Sequence, residues 1–69
     1  MTLGEKIKNY RLNKGQTQTE YGKEFGAGKS LVCQWEKGIN KPNCKRLKMI
    51  ADDMGITVVE LLGSDEKWL

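Results

Sequence analysis

Three copies of the pattern Thr-x-x-Glu occur in the chain, and each predicts the start of an α-helix. In this capping box the threonine hydroxyl and the glutamate carboxylate each accept a hydrogen bond from a backbone N–H group that has no partner within the helix. The boxes begin at Thr2, Thr17 and Thr57. Each is followed by a glycine, the residue at which helices commonly end. These glycines are Gly15, Gly26 and Gly63.

Two further helices are predicted by other start and stop signals. One spans residues 29–37 and ends at Gly38. The other begins after Pro42, has Asn43 as its N-cap and ends at Gly55. Apolar residues recur at helical spacing, and no segment alternates as a strand would, so the chain is predicted to be all-α and compact. The apolar residues are Leu3, Ile7 and Tyr10; Tyr21 and Phe25; Val32 and Trp35; Leu47, Ile50, Ala51 and Met54; and Leu61 and Leu62.

Length and composition limit the kinds of protein that the chain can be. Its 69 residues suffice for one domain with a small core and leave no room for a deep cleft between domains. The chain has no histidine, and its two cysteines, Cys33 and Cys44, are too few for a zinc site. We therefore expect no metal, no cofactor, no small-molecule ligand and no enzymatic activity. No apolar run is long enough for a membrane span or a signal peptide, so a cytoplasmic protein without a membrane partner is expected.

Charge is distributed unevenly along the chain. Residues 1–48 carry eleven Lys and Arg against four acidic residues, whereas residues 49–69 carry one Lys against five acidic residues. A basic region of this kind is typical of a surface that meets a polyanion such as nucleic acid. The alternative is an ordinary solvated surface on which the charge is unevenly spread.

Residues 18–37 predict two short helices that pack across each other. Gly22 lies within the first of them, where glycine costs about 1 kcal/mol relative to alanine, which is understandable if the second helix crosses so closely that only a minimal side chain fits. Gly26 lies where a sharp turn between the helices needs positive φ. The apolar side chains that would form their shared core are Tyr21, Phe25, Val32 and Trp35. This is the helix-turn-helix arrangement, in which the second helix enters the major groove of DNA.

The spacing of residues in this motif also permits comparison with known families. The motif reads Gln18-(x)3-Gly22-(x)3-Gly26-(x)5-Val32-(x)2-Trp35-Glu36-Lys37-Gly38, followed by Lys41-Pro42-Asn43 and by Gly55-Ile56-Thr57-(x)3-Leu61-Leu62. It resembles the Cro/cI-type helix-turn-helix family, also called the xenobiotic-response-element family. The resemblance covers about Leu3 to Gly63. It implies a five-helix, lambda-repressor-like DNA-binding domain over residues 1–63, with a C-terminal tail at residues 64–69.

The resemblance also implies which residues contact DNA. Gln18 would hold a phosphate at the start of the second helix. The third helix would direct Lys29, Ser30 and Gln34 to the base edges, with Cys33 beside them. Lys37, at the end of that helix, is also expected to contact DNA. Contacts to the DNA backbone after that helix would come from Asn40, Lys41 and Asn43. Arg11 and Glu36 match a pair that forms a structural salt bridge between the first and third helices.

Each of these assignments has a simpler alternative. Lys29 could be an ordinary solvated lysine, Gln34 an inert surface amide, and Ser30 a group that caps its own helix. Cys33 would lie on the exposed side of the third helix, where it could be a redox-sensitive group or a small tolerated residue. The lysines of the first helix are expected to be solvated; they are Lys6, Lys8 and Lys14. The basic residues of the fourth helix could contact phosphates or only solubilise the helix; they are Lys45, Arg46 and Lys48.

Two functional hypotheses follow. The first is a sequence-specific regulator of transcription, a repressor of the phage or mobile-element type, that binds palindromic half-sites of operator DNA as a homodimer. The second is an antitoxin-like or regulatory-partner protein of the same fold whose primary role is protein binding. Candidate dimer contacts are Val59, Leu62, Trp68 and Leu69. The last two could instead fold back onto their own domain.

Overall fold

The computed structural model describes residues 2–63, and these form five α-helices and no strand. The helices are α1 (Leu3–Asn13), α2 (Gln18–Glu24), α3 (Lys29–Lys37), α4 (Cys44–Met54) and α5 (Val58–Leu62). The prediction of an all-α fold with five short helices is confirmed. The predicted tail at residues 64–69, with the candidate contacts Trp68 and Leu69, lies outside the described residues, and the domain boundary at residue 63 stays a prediction.

Local capping interactions begin the helices as the sequence predicts. In the boxes that start at Thr2, Thr17 and Thr57, the hydroxyl accepts a hydrogen bond from the glutamate N–H at 3.0–3.2 Å, and the carboxylate accepts one from the threonine N–H at 2.8–3.0 Å. Asn43 Oδ1 caps α4 by accepting from the Arg46 N–H at 2.9 Å. The five glycines predicted to follow helices all have positive φ. These signals act within three or four residues, which is why they are readable from the sequence.

The apolar faces of all five helices meet in a single core, in which α3 packs against both α1 and α2. The buried apolar side chains are Leu3, Ile7, Tyr21, Phe25, Val32, Trp35, Leu47, Ile50, Ala51, Leu61 and Leu62. Tyr10 and Met54 are half-buried at the edge of this core. The prediction that Leu62 contributes to a dimer surface is wrong, because its side chain packs inside its own domain and is only 3% exposed.

Two glycines permit backbone segments to approach each other within the core. A Cβ atom on Gly22 would overlap the carbonyl oxygen of Ala27 and lie 3.1 Å from Val32 Cγ2. Position 22 therefore needs a minimal side chain, as predicted, but the closest obstacle is the backbone of the turn rather than the next helix. A Cβ on Gly4 would lie 2.5 Å from the Glu36 carbonyl oxygen, so the first turn of α1 rests directly on the end of α3.

Three basic side chains form contacts between helices that the sequence did not predict. Two of them, Lys6 and Lys14, were expected to be solvated, and Arg46 was expected either to contact phosphates or to solubilise its helix. Lys6 Nζ donates to the Leu61 carbonyl at the end of α5, at 3.0 Å. Lys14 Nζ forms ion pairs with carboxylates of α2 and α4 at 3.1 and 2.9 Å. Arg46 donates to the carbonyls of Phe25 and Gly26 at 3.2 and 3.0 Å, which satisfies backbone acceptors after the end of α2. Lys14 remains exposed while it makes these contacts, Lys6 is half-buried rather than fully solvated, and Arg46 has a structural role.

Candidate nucleic-acid interface

Helix α3 divides into an inner and an outer face. Because successive residues of a helix are offset by about 100°, positions 29, 30, 33, 34 and 37 fall within an arc of about 140°. The opposite face of α3 is directed into the core: Val32 and Trp35 are buried there, and Leu31 and Glu36 beside them are half-buried. All of the third-helix residues expected to contact DNA therefore share one face, directed away from the core. The exposed members are Lys29, Ser30 and Lys37, and the half-buried members are Cys33 and Gln34.

The beginning of α3 lacks a side-chain cap. Gly28 is the N-cap residue, and no side-chain hydrogen bond is made to the first turn. Ser30 lies inside the helix rather than at the cap, so the alternative that it caps its own helix is not supported. The first turn of α3 consequently has backbone N–H groups without a side-chain partner, next to Lys29.

A buried ion pair anchors α3 to α1. Arg11 Nε donates to Glu36 Oε2 at 2.6 Å, and Arg11 Nη2 donates to Glu36 Oε1 at 3.2 Å. The two side chains are 10% and 5% exposed. The salt bridge expected between Arg11 and Glu36 is thus present in the structure. Arg11 Nη1 also donates to the Gln16 carbonyl at 2.9 Å, which extends the contact to the loop before α2.

The same carboxylate holds the side chain of Gln18. Gln18 Nε2 donates to Glu36 Oε1 at 3.1 Å, so the first residue of α2 is linked to α3. The Gln18 side chain is half-buried. The contact of Gln18 with a phosphate stays a prediction, and no local pattern predicts its link to Glu36, because the two residues are 18 positions apart.

The chain after α3 folds back over the last turn of that helix. Gly38 has φ +76°, and the N–H groups of Ile39 and Asn40 lie 3.0 and 3.5 Å from the Gln34 carbonyl oxygen. The side chains of Asn40 and Gln34 also form a hydrogen bond, in which Asn40 Nδ2 donates to Gln34 Oε1 at 2.5 Å. Asn40 is therefore next to the predicted base-reading face rather than separate from it.

Lys41 and Asn43 follow in an exposed segment. The Asn43 side-chain oxygen is engaged as the cap of α4, so its Nδ2 group is the part left to reach outward. Between the first turn of α1 and this segment lies a shallow cleft lined by Thr2, Asn40 and Lys41, among other residues. The sequence motif did not indicate that Thr2 lies beside the candidate DNA-binding surface. Thr2 comes near this surface because Gly4 packs against α3.

The charge of the outer face of α3 is positive. Lys29 and Lys37 take part in none of the ion pairs shown among residues 2–63. The acidic residue of α3, Glu36, is compensated by Arg11. The carboxylates of Glu24 and Asp53 pair with Lys14, and that of Asp52 pairs with Lys48, all away from this face. A surface of this kind attracts an anionic polymer and offers amide, hydroxyl and ammonium groups as hydrogen-bond donors.

Within the described residues, no cluster of three potential metal ligands exists. Both cysteines are free; Cys44 is exposed, and Cys33 is half-buried on the outer face of α3. No helix among residues 2–63 has the length and apolar character needed to cross a membrane.

Solved structures with a similar fold include phage and bacterial regulators. The P22 c2 repressor, in complex with the synthetic operator 9T, matches with a TM-score of 0.83 and 26% sequence identity over 94% of this chain and 98% of that one. The chain has the Cro/cI-type helix-turn-helix fold. The biofilm master regulator SinR in complex with DNA matches this helix-turn-helix domain with a TM-score of 0.74 and 27% identity, over 90% of this chain and all of that one. A complex of SinR with SinI matches with a TM-score of 0.75 and 26% identity, over 93% of this chain and 63% of that one.

Similar curated proteins are also regulators of transcription. The activator BcrR of Enterococcus faecalis is 30% identical to the helix-turn-helix domain over 66 residues, 96% of this chain and 32% of BcrR. The repressor RstR of the cryptic phage CTXphi, from Vibrio cholerae, is 28% identical over 64 residues, 93% of this chain and 58% of RstR. The chain thus spans about a third of one relative and over half of the other. No family model matches the chain.

Proposed function

We propose that the chain is a sequence-specific double-stranded DNA-binding regulator of transcription that inserts α3 into the major groove of an operator. The observation that carries the proposal is the division of α3. Its inner face is fixed by Val32, Trp35 and the Arg11–Glu36 ion pair, while its outer face presents polar and basic side chains without acidic groups. Two proteins with this fold, P22 c2 and SinR, have been solved in complex with DNA, which supports DNA binding by this fold.

The proposed contacts fall into two classes. Gln34 and Ser30 read base edges, and Lys29 reads a guanine or an adjacent phosphate. Cys33 and Lys37 lie on the same face and complete the surface against the groove. Phosphate contacts, which set affinity and register, come from the residues around the ends of α2, α3 and α4. These are Gln18, Asn40, Lys41 and Asn43.

We further propose a repressor of the phage or mobile-element type that acts as a homodimer in the cytoplasm. Resemblance to the P22 c2 repressor and to the phage repressor RstR favours repression over the activation named for BcrR. One helix in one groove covers few base pairs, so a two-fold dimer on a palindromic site supplies the required specificity. Val59, which is 78% exposed on α5, is a candidate contact for that dimer. The proposed function is binding of DNA, and none of the residues named above is proposed to be catalytic.

A selection of bound sequences from a random duplex pool, carried out at two salt concentrations, tests the proposal. The expected result is an enriched palindrome with half-sites about one helical turn apart. Weak, salt-sensitive binding without enrichment would contradict it, because charge alone produces that behaviour. The antitoxin-like or partner-protein alternative would then be favoured, in keeping with the SinR–SinI complex, in which a protein of similar fold binds another protein.

A further inference from the structure

We infer that Asn40 is a positioning residue for sequence recognition, which fixes the side-chain amide of Gln34 so that it reads one base pair with a defined polarity. The inference rests on the proposed function and deepens it. Its starting point is the hydrogen bond in which Asn40 Nδ2 donates to Gln34 Oε1 at 2.5 Å, on the outer surface of the molecule beside α3.

The backbone holds the two side chains together. Gly38 takes a left-handed conformation, with φ +76°, and turns the chain back toward α3. The Gln34 carbonyl then accepts from the Ile39 N–H at 3.0 Å and is approached by the Asn40 N–H at 3.5 Å. Asn40 is thus placed against the last turn of α3 by the same interactions that end the helix. Its side chain is held there without any contribution from DNA.

Fixing the amide matters because a glutamine can present either of two polarities. Its carbonyl oxygen accepts and its NH2 group donates, and rotation of the terminal amide exchanges the two. An adenine offers an N7 acceptor and an N6 donor in the major groove, so a glutamine pairs with it bidentately in one polarity only. In the structure Asn40 presents its Nδ2 donor to Gln34, so Gln34 Oε1 faces Asn40 and Gln34 Nε2 faces away. The oxygen keeps a second lone pair that can still accept from a base.

This role is separate from the phosphate contact proposed for Asn40 above, and the two have different readouts. A phosphate contact would change affinity for all sequences alike, whereas a positioning role changes the ratio of affinities among the four base pairs at one position. The effect must also pass through Gln34 and disappear when Gln34 is absent.

Substitution of Asn40 by Asp is the most informative variant. An ionised aspartate accepts hydrogen bonds and donates none, so it can bind Gln34 only through Nε2 and would reverse the amide. Because the new negative charge lowers affinity for every DNA sequence, only the ratio among base pairs is informative. Asn40→Ala removes the constraint without adding charge. Asn13→Ala, at an exposed asparagine that ends α1, is the matched control.

The experiment is the duplex selection described above, repeated for these variants, for Gln34→Ala and for Gln34→Ala/Asn40→Ala. Loss of preference in Gln34→Ala, by roughly 5- to 150-fold, identifies the base pair that Gln34 reads. We expect Asn40→Ala to weaken the preference at that same base pair, Asn40→Asp to replace it with another, and the double variant to match Gln34→Ala. Thermal unfolding checks that every variant is folded. The NMR signals of the Asn40 side-chain amide in the free protein should shift in Gln34→Ala.

The possible failures are distinguishable. If the wild-type chain enriches no sequence, the proposed function and this inference both fall. If the wild type enriches an operator but Asn40→Asp and Asn40→Ala keep its base ratios, only the inference is overturned. An effect of Asn40→Ala on the base ratios that persists in the Gln34→Ala background would show that Asn40 changes sequence preference without Gln34, which also overturns the inference.

Discussion

Arg11 on α1 and Glu36 on α3 form an ion pair with an Nε–Oε2 distance of 2.6 Å, and both side chains are almost fully removed from solvent. The Glu36 carboxylate also accepts from Gln18, so one acidic group joins three helices. Without this pair the only acidic side chain of α3 would be uncompensated next to the candidate DNA-binding face. Anchoring α3 and balancing its charge are therefore achieved by the same contact.

Removing one partner of this pair should be strongly destabilising. Glu36→Ala leaves the Arg11 guanidinium buried without its partner, a situation that costs about 3–5 kcal/mol in proteins. Urea unfolding measures the change in the free energy of unfolding. The matched control is Lys48→Ala, at an exposed i,i+4 pair with Asp52 in α4, for which a change of about 0.5 kcal/mol or less is expected. Similar losses in the two variants would contradict the anchoring role.

Gly22→Ala should destabilise the domain although alanine is the better helix former. The gain in helix propensity is about 1 kcal/mol, but the added methyl group overlaps the Ala27 carbonyl oxygen, and overpacking of this kind typically costs about 1–3 kcal/mol. Thermal unfolding should show a lower midpoint. Gly28→Ser tests a glycine with open space around it and should gain a few tenths of a kcal/mol by capping α3. A Gly22→Ala variant as stable as the wild type would show that the turn at Ala27 can shift away from the added methyl group at little cost.

Tyr21→Phe should leave stability unchanged or raise it. The Tyr21 hydroxyl is buried and has no hydrogen-bond partner among the described residues, and burial raises the pKa of this phenol well above its usual value. Deleting an unsatisfied polar group removes its desolvation cost of about 1–3 kcal/mol. Tyr10→Phe is the contrasting variant, because the Tyr10 hydroxyl donates to the Asp53 carbonyl and its loss should cost about 1 kcal/mol. A larger loss at Tyr21 than at Tyr10, measured by urea unfolding, would refute this account.

Glu20 should make stability depend on pH in the acid range. Its hydrogen bond from the Thr17 backbone N–H, in the capping box of α2, lowers the pKa of this carboxyl below its ordinary value of 4.5. A lowered pKa in the folded state means that the stabilisation is present above the unfolded-state pKa and is lost as pH falls through the folded-state value. Glu20→Gln keeps the capping pattern without the titrating group, so the difference in unfolding midpoint between it and the wild type should shrink on acidification. A difference that is constant with pH would contradict the prediction.

Lys41→Ala should weaken DNA binding to all sequences by a similar factor. A phosphate contact is lost, so the slope of log affinity against log salt should fall in magnitude by about one. Lys48→Ala, on the exposed surface of α4, is the control and should keep the wild-type slope. Titrations of the selected operator and of a random duplex at several salt concentrations measure both effects. An unchanged slope of log affinity against log salt in Lys41→Ala would show that Lys41 does not contact a phosphate.

The amino-acid sequence alone determined the helices and their order. Capping boxes, the Asn43 cap and the glycines at helix ends act over three to five residues, so they specify the same local structure whatever surrounds them. Apolar periodicity likewise identified the inner face of each helix and hence the polar outer face of α3. The motif spacing from Gln18 to Gly38 was sufficient to indicate the Cro/cI-type fold.

Only the tertiary structure decided which polar groups meet. Lys6 binds the carbonyl of Leu61, Arg46 binds the carbonyls after α2, and Gln18 binds Glu36, although each partner is far away in the chain. Gly4 is needed because the Glu36 backbone lies against it. Such contacts depend on how helices cross, and no local pattern encodes that. Long polar side chains find their partners only after the apolar faces have packed, because the packed core sets which backbone acceptors and carboxylates come within reach.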